Sequence, residues 1–456
     1  MRDPGVKYGT WLACVALIIS DSWPAGAAEQ PPPTLNLAAL EQLALERNPT
    51  LLQAGANIEA VQGRAEQAGL YPNPTVGYAG ERIGAGGTAG EMQGLFIDQT
   101  VVTAGKLRLS RAKFGQEVLQ TTAQALAQQY RVLNSVRIRF YQLLALQRLL
   151  DVRSVLLKVA DEAVQTTEEL LNVGAANEPD LLQARIEARQ ERVALENAHT
   201  QFEAAWRQLA ALVGAPELAE SRLEGDLEAL VRMPDFDATL AHLLEASPEI
   251  QVALAEIART EIGLKREQVE PIPNVQVRLA NGYDFETRRD VTSVEVGIRL
   301  PFFDKNQGNI RTARAQVAYA QAELRRVQLS LNQRLARAYA RYRTAASTVE
   351  TYRNDNLPDA KKAYQLYVDS FRKRRAAWPQ VLVAQHTYFQ ISVEYNEALA
   401  EMRSAEVTIL GLLLIDGLNE PANTRGDREG QRKGQEDSGL PDPINGRWGR
   451  GMGGAD

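Results

Sequence analysis

"NVQVRLANGY" (274–283) and "DVTSVEVGIRL" (290–300) decide how this chain folds. In the first, Val275, Val277 and Leu279 alternate with Gln276, Arg278 and Ala280. In the second, Val294, Val296, Ile298 and Leu300 alternate with Ser293, Glu295, Gly297 and Arg299. A period of two belongs to a strand, so each stretch has one apolar face and one that carries charge. A strand over a soluble core shows the same alternation, and length and surroundings separate the two readings. Each run is about ten residues, the span of a tilted transmembrane strand. No sequence remains to form a second layer over the apolar face. Aromatics flank the strands (Tyr71, Tyr78, Tyr283, Phe285, Phe302 and Phe303), as they do at a membrane interface. Val275, Val277, Leu279, Val294, Val296 and Ile298 are therefore the candidate lipid-facing residues.

Around the strands the chain is helical, and the layout occurs twice. Asn48-Pro49 opens a helical pattern that ends at "YPNPTVGYAGERI" (71–83). Ser247-Pro248 opens another that ends at "PIPNVQVRLANGY" (271–283). After each come a turn, a second short strand, a very long helical stretch, a corner and a return helix of about 35 residues. The corners echo one another. In "NVGAANEPDLLQAR" (172–185) and "RKRRAAWPQVLVAQ" (372–385), Ala176, Pro179, Leu182 and Ala184 match Ala376, Pro379, Leu382 and Ala384. Pro179 and Pro379 suit the first turn of a returning helix, where a missing N–H costs nothing. The order predicts a tandem duplication. The first repeat covers 29–213, with a β-hairpin at 74–100 and a tip at 172–180. An inter-repeat segment follows at 214–239. The second repeat covers 240–416, with a β-hairpin at 274–300 and a tip at 370–380.

The stretch 116–173 contains no Gly or Pro and as one helix would reach roughly 87 Å at 1.5 Å per residue. Val136, Leu143, Leu150, Leu157, Val164 and Leu171 recur every seven residues. Leu331, Leu335, Ala338, Tyr342, Ala345, Val349 and Tyr352 alternate spacings of four and three. Both read as coiled-coil seams. The expected fold is mainly α with a small β part. Four lipid-length strands cannot close a barrel alone, and an open edge in lipid leaves backbone groups unpaired at several kcal/mol each. Oligomerisation solves this, with two copies giving eight strands and three giving twelve.

The ends and the composition set the bounds. Arg2 and Lys7, the apolar run "WLACVALIIS" (11–20) and the small residues at 25–27 predict a signal peptide over 1–28. Cys14, the one cysteine of the chain, lies in it. Lipidation there is not expected, because Trp11 stands where a leucine belongs and the apolar run mostly follows the cysteine. A net charge of −6 offers no basic field for nucleic acid. His199, His242 and His386 are scattered and no Cys/His ligand pattern occurs, so no metal, cofactor or catalytic site is predicted. "TAGKL" (103–107) lacks the upstream Gly of a phosphate loop and reads as a strand-to-helix turn. "GAGGTAG" (84–90) reads as a hairpin loop. The Gly-rich segment 417–456 reads as a disordered tail.

The two-copy layout, "YPNPTVGY" entering the first strand, "IDQTVVTAGKLRLSR" (97–111) leaving the second, "NVGAANEPDLLQAR" and "ALVG" (211–214) together resemble the TolC-type outer membrane efflux proteins. Within them the likeness is greatest to the cobalt–zinc–cadmium resistance branch. The resemblance covers about residues 35–416. It implies a homotrimer with a twelve-stranded outer-membrane β-barrel continuous with a periplasmic α-helical barrel. The inter-repeat and C-terminal segments would form an equatorial region. It also implies a periplasmic adaptor protein at the tips, an inner-membrane pump of the RND type, outer-membrane lipid around the strands, and no catalysis. The tip residues are Gly174, Asn177, Glu178, Asp180 and Leu182 in the first repeat, and Arg372, Lys373, Arg374, Arg375 and Trp378 in the second. Relatives often carry Gly where Arg374 stands and acidic residues where Gln380 and Val383 stand, which puts an acidic constriction at that level in doubt.

Three functions compete at this level. They are an efflux duct for heavy-metal cations, a type I protein secretion conduit, and a non-channel periplasmic scaffold or adaptor. The tips carry one further expectation. Glu168, Glu169, Glu178 and Asp180 oppose Arg372, Lys373, Arg374 and Arg375, so acidic and basic tips would attract one another in a closed mouth, with Trp378 as an apolar anchor for the adaptor.

Overall fold

The computed structural model describes residues 35–81, 92–174, 176–229, 233–373 and 375–419. The expected signal peptide, the loop 84–90 and Arg374 lie outside them. The elements run β1 (Leu35–Asn36), α1 (Leu37–Arg47), α2 (Pro49–Gln67), β2 (Thr75–Glu81), β3 (Met92–Val101), α3 (Lys106–Asn172) and α4 (Glu178–Leu212). They continue with β4 (Leu223–Glu224), α5 (Phe236–Ala246), α6 (Pro248–Val269), β5 (Val275–Asp284), β6 (Arg289–Ile298), α7 (Gln307–Thr351), α8 (Leu357–Arg372) and α9 (Trp378–Leu410).

Local chemistry sets the helix starts. The Asn48 side chain accepts from the Thr50 N–H at 2.9 Å and Ser247 accepts from the Glu249 N–H at 3.3 Å, each followed by a proline in the first turn. Both residues also terminate the preceding helix, so α1–α2 and α5–α6 are each a helix pair hinged on one capping residue. α3 runs unbroken for 67 residues, roughly 100 Å at 1.5 Å per residue. Its counterpart is interrupted. A π-helical turn, Tyr352–Asn356, separates α7 from α8. Pro358 follows at the start of α8, and its missing N–H cannot continue the regular ladder.

The second seam packs as its spacing predicts, with Leu331, Leu335, Ala338, Ala345 and Val349 all buried. The first drifts. Val136 and Leu143 are fully buried, but beyond Ala145 the buried positions are Leu156, Ala160, Ala163 and Thr167. Leu150, Leu157, Val164 and Leu171 are only half-buried. A helix of 3.6 residues per turn rotates against a strict seven-residue repeat, and over this length a neighbouring stripe takes over the contact with α4.

The core lies at mid-length of the helices. Leu40, Val132, Val136, Phe140 and Leu143 meet Trp206, Leu209, Leu223, Leu227, Leu399 and Met402 there. The Trp206 indole donates to the Leu218 carbonyl at 3.0 Å, which fastens the segment after α4. A second cluster joins Leu331 and Leu335 of α7 to Leu243, Ile250, Ile409 and the run Leu412–Leu413–Leu414. Arg403, 2% exposed, donates to the Leu227 and Ala229 carbonyls and to Glu406. Burial pushes the Glu406 carboxyl above the usual range, and the Arg403 guanidinium opposes that shift.

Composition places residues 417–419 in the tail, but the fold holds them. Gln128, fully buried, donates to the carbonyls of Gly417 and Asn419, and the Gly417 N–H donates to Ser135. Asn134, also fully buried, donates to the Gly411 and Leu414 carbonyls at 2.8 and 2.7 Å. Two amides on α3 thus satisfy a segment that has left the helical ladder. Asn134→Ala leaves both carbonyls without this donor and should lower stability by about 1–3 kcal/mol. Equilibrium denaturation of the purified protein measures this. A midpoint equal to the parent's would show that the amide does not hold the C-terminal segment.

Candidate functional site: an uncovered sheet and two charged helical tips

Four strands form one antiparallel sheet in the order β2-β3-β5-β6. The two hairpins join through β3 and β5, with Ile97 opposite Leu279 and Val101 opposite Val275. Across β5 and β6, Val275 faces Ile298, Val277 faces Val296 and Leu279 faces Val294. The register therefore gathers the six sequence-selected residues on one face. Val76, Tyr78, Leu95 and Ile97 extend that face across β2 and β3, where sequence reading had not assigned faces. Nothing among the described residues covers it. Val76, Leu95, Val294 and Val296 are each 64–68% exposed. The opposite face carries Asp98, Arg278 and Glu295 in one row. β2 and β6 have no described strand on their outer sides.

A polar knot joins sheet to helix. Lys106, the lysine of "TAGKL", is 4% exposed, and its ammonium donates to the Ile272 carbonyl at 2.6 Å and to Asn274 Oδ1 at 3.1 Å. Burial lowers its pKa, and Glu270, 4.0 Å away, works against that. Thr103 adds a hydrogen bond to the Pro273 carbonyl at 2.6 Å. The turn is thus more than a relaxed link, since it ties the first long helix to the entry of the second hairpin. A lysine beside a glycine gives no signal of this, because its acceptors lie more than 160 residues away.

The tips lie at the far ends of the long helices. Gly174 takes the left-handed conformation (φ +71°) that ends α3. Asn177 and Asp180 then cap α4 reciprocally. Asn177 Oδ1 accepts from the Asp180 N–H at 3.0 Å, and Asp180 accepts from the Asn177 N–H at 3.3 Å. At the second tip Gln380 accepts from the Ala377 N–H at 3.1 Å. Residues 180 and 380 therefore do the same local work, and the acidic character of one and neutrality of the other leave the turn unchanged.

The charges are less available than their types suggested. Glu168 is paired with Arg185 at 2.6 Å within its own hairpin, and Asp180 is engaged in the cap. Arg372 lies 3.9 Å from Asp369. Arg372, Lys373 and Arg375 are exposed, as are Gly174, Asn177, Glu178 and Leu182. Trp378 is not a free anchor. Its ring packs on Phe371 at 4.9 Å between centroids, and its indole N–H is buried without a partner. The hairpins are also cross-linked differently. Ion pairs Arg153–Glu191, Arg192–Asp161 and Arg185–Glu168 bridge α3 and α4, whereas Tyr364 stacks on Tyr388 between α8 and α9.

The histidines lie apart on α4, α5 and α9, and the described residues hold no group of three or more His, Cys, Asp or Glu able to bind a metal ion. No helix among them is long and apolar enough to cross a membrane. The capping analysis yields a direct test. Asn177→Ala should cost about 0.5–2 kcal/mol locally and fray the start of α4. Amide hydrogen exchange across 172–182 should rise while the sheet stays protected. Unchanged exchange at the tip would remove the cap from the account.

Comparison with known proteins matches this geometry. The outer membrane efflux protein family profile matches residues 40–215 and 239–413. The chain is 28% identical over 272 residues to the cobalt-zinc-cadmium resistance protein CzcC of Cupriavidus metallidurans, a match that covers 59% of this chain and 64% of that protein. The chain therefore aligns with somewhat less than two thirds of that relative's length. The fold is similar to that of the outer membrane protein VceC of Vibrio cholerae, with a TM-score of 0.68, 18% identity, and 83% of this chain and 96% of that one covered. It is also similar to the open state of the Neisseria gonorrhoeae MtrE outer membrane channel, with a TM-score of 0.69, 17% identity, and 84% and 90% covered. With the profile spanning most of its length, the chain belongs to the outer membrane efflux protein family.

Proposed function

We propose that this protein is the outer-membrane channel of a tripartite efflux pump, a passive duct from periplasm to exterior with heavy-metal cations as its cargo class. The observation that carries this is the sheet whose apolar face and two outer edges are left uncovered by the described chain. In lipid an apolar face is solvated, but an open edge is not tolerated. Three copies would close the edges as a twelve-stranded barrel, with Val275, Val277, Leu279, Val294, Val296 and Ile298 toward lipid and the long helices extending as a periplasmic barrel. The tandem duplication rests on the repeated order of helix pair, hairpin, long helix and return helix, and on the two stretches that match the family profile. The cargo class rests on the name of the Cupriavidus metallidurans relative.

The tips would receive a periplasmic adaptor, which links the duct to an RND-type inner-membrane pump. Exposed Glu178, Leu182, Arg372, Lys373 and Arg375 are the contact residues we assign. Two experiments test the proposal. Native mass spectrometry in detergent should show three copies, and a soluble periplasmic monomer would favour a scaffold instead. Val277→Arg or Val296→Arg should impair outer-membrane assembly, at roughly 2–4 kcal/mol near the bilayer midplane. Gln276→Arg and Ser293→Arg, on the opposite face, should assemble normally. Equal damage from both sets would mean that neither face meets lipid.

A further inference from the structure

On the polar face of the sheet the register sets Asp98, Arg278 and Glu295 side by side on three successive strands. The rows on either side are uncharged. Thr100, Gln276 and Gly297 lie below, and Phe96, Ala280 and Ser293 above. The arginine does not simply bridge its neighbours. Its guanidinium carbon sits 4.2 Å from the centroid of the Phe96 ring. That ring lies over Gly77, its cross-strand partner, where a Cβ would come within 2.6 Å of ring carbons. Gly77, Phe96 and Arg278 thus form a stack built on bare backbone. Among the described residues neither Asp98 nor Glu295 has an ion-pair partner within 4 Å, so both carboxylates stay open to the space in front of the sheet.

We infer that this row is a cation-selecting ring inside the barrel, with Asp98 and Glu295 attracting hydrated metal cations and Arg278 moderating their hold. The inference rests on the proposed trimeric channel, in which the polar face lines the lumen. Each chain contributes two carboxylates and one guanidinium, so the ring carries one net negative charge per protomer. Carboxylates on a low-dielectric wall concentrate cations in the water beside them. A full −2 per chain would bind cations tightly enough to slow their exit, and conduction requires release as well as entry. Stacking Arg278 on Phe96 keeps its charge close while leaving the carboxylate oxygens unbridged. Phe96 and Gly77 are positioning residues for that arrangement.

Reversal potentials of the purified protein in planar bilayers under a KCl gradient test the ring. Arg278→Gln should raise the K⁺/Cl⁻ permeability ratio roughly two-fold or more, and Asp98→Asn with Glu295→Gln should lower it by a similar factor. Phe96→Leu and Gly77→Ala should also lower the ratio, because the displaced guanidinium swings onto the carboxylates although no charge has changed. A merely structural role for the stack would leave that ratio alone. If Arg278→Gln fails to assemble, the near-isosteric Asp98→Asn, Glu295→Gln pair decides alone. Conducting variants that all keep the parent's reversal potential would overturn the ring and leave the channel intact. A parent protein that never conducts would overturn the channel reading itself.

Discussion

A strand can pair only with what lies beside it, and two of the four strands here have nothing described on their outer sides. The two hairpins of one chain already share a ladder through β3 and β5, so the sheet is a continuous arc of four strands. Its apolar face offers no core to pack on and its edges invite further strands. In the channel proposed above, copies of the chain would pair those edges and lipid would cover that face.

Such an arc must stand on something stiff. α3 supplies it, unbroken from just below the sheet to the first tip. The knot around Lys106 keeps the stand from swivelling, because one buried ammonium is shared by the first long helix and the second hairpin's entry. Farther down, buried Gln128 and Asn134 fasten the C-terminal segment, and Arg403 fastens the segment between the repeats. These contacts are polar and remote in sequence. They fix register where small apolar side chains such as alanine would let helices slide.

The two hairpins share geometry but not chemistry. Residues 180 and 380 close the same turn with a carboxylate and an amide, because either group offers the oxygen that the cap requires. Ion pairs hold the first hairpin, and aromatic stacking and a π-helical turn mark the second. The two hairpins thus share what the backbone turn needs and differ in the surfaces around it.

Much of this was legible in the chain alone. Alternation in 274–300 located strands of membrane length, the echo of Pro179 and Pro379 located the tips, and Asn48-Pro49 and Ser247-Pro248 marked helix starts. All of these signals are local, arising from side-chain period and capping chemistry within a few residues. The register that adds Val76 and Leu95 to the face of Val277 and Val296 was not legible, nor were the drift of the first seam, the partners of Lys106 or the parking of Arg278 on Phe96. Those depend on which distant segments come to lie side by side. A lysine or tryptophan looks the same in sequence whether solvated or buried, and only packing decides that Lys106 is a junction and that Trp378 leans inward on Phe371.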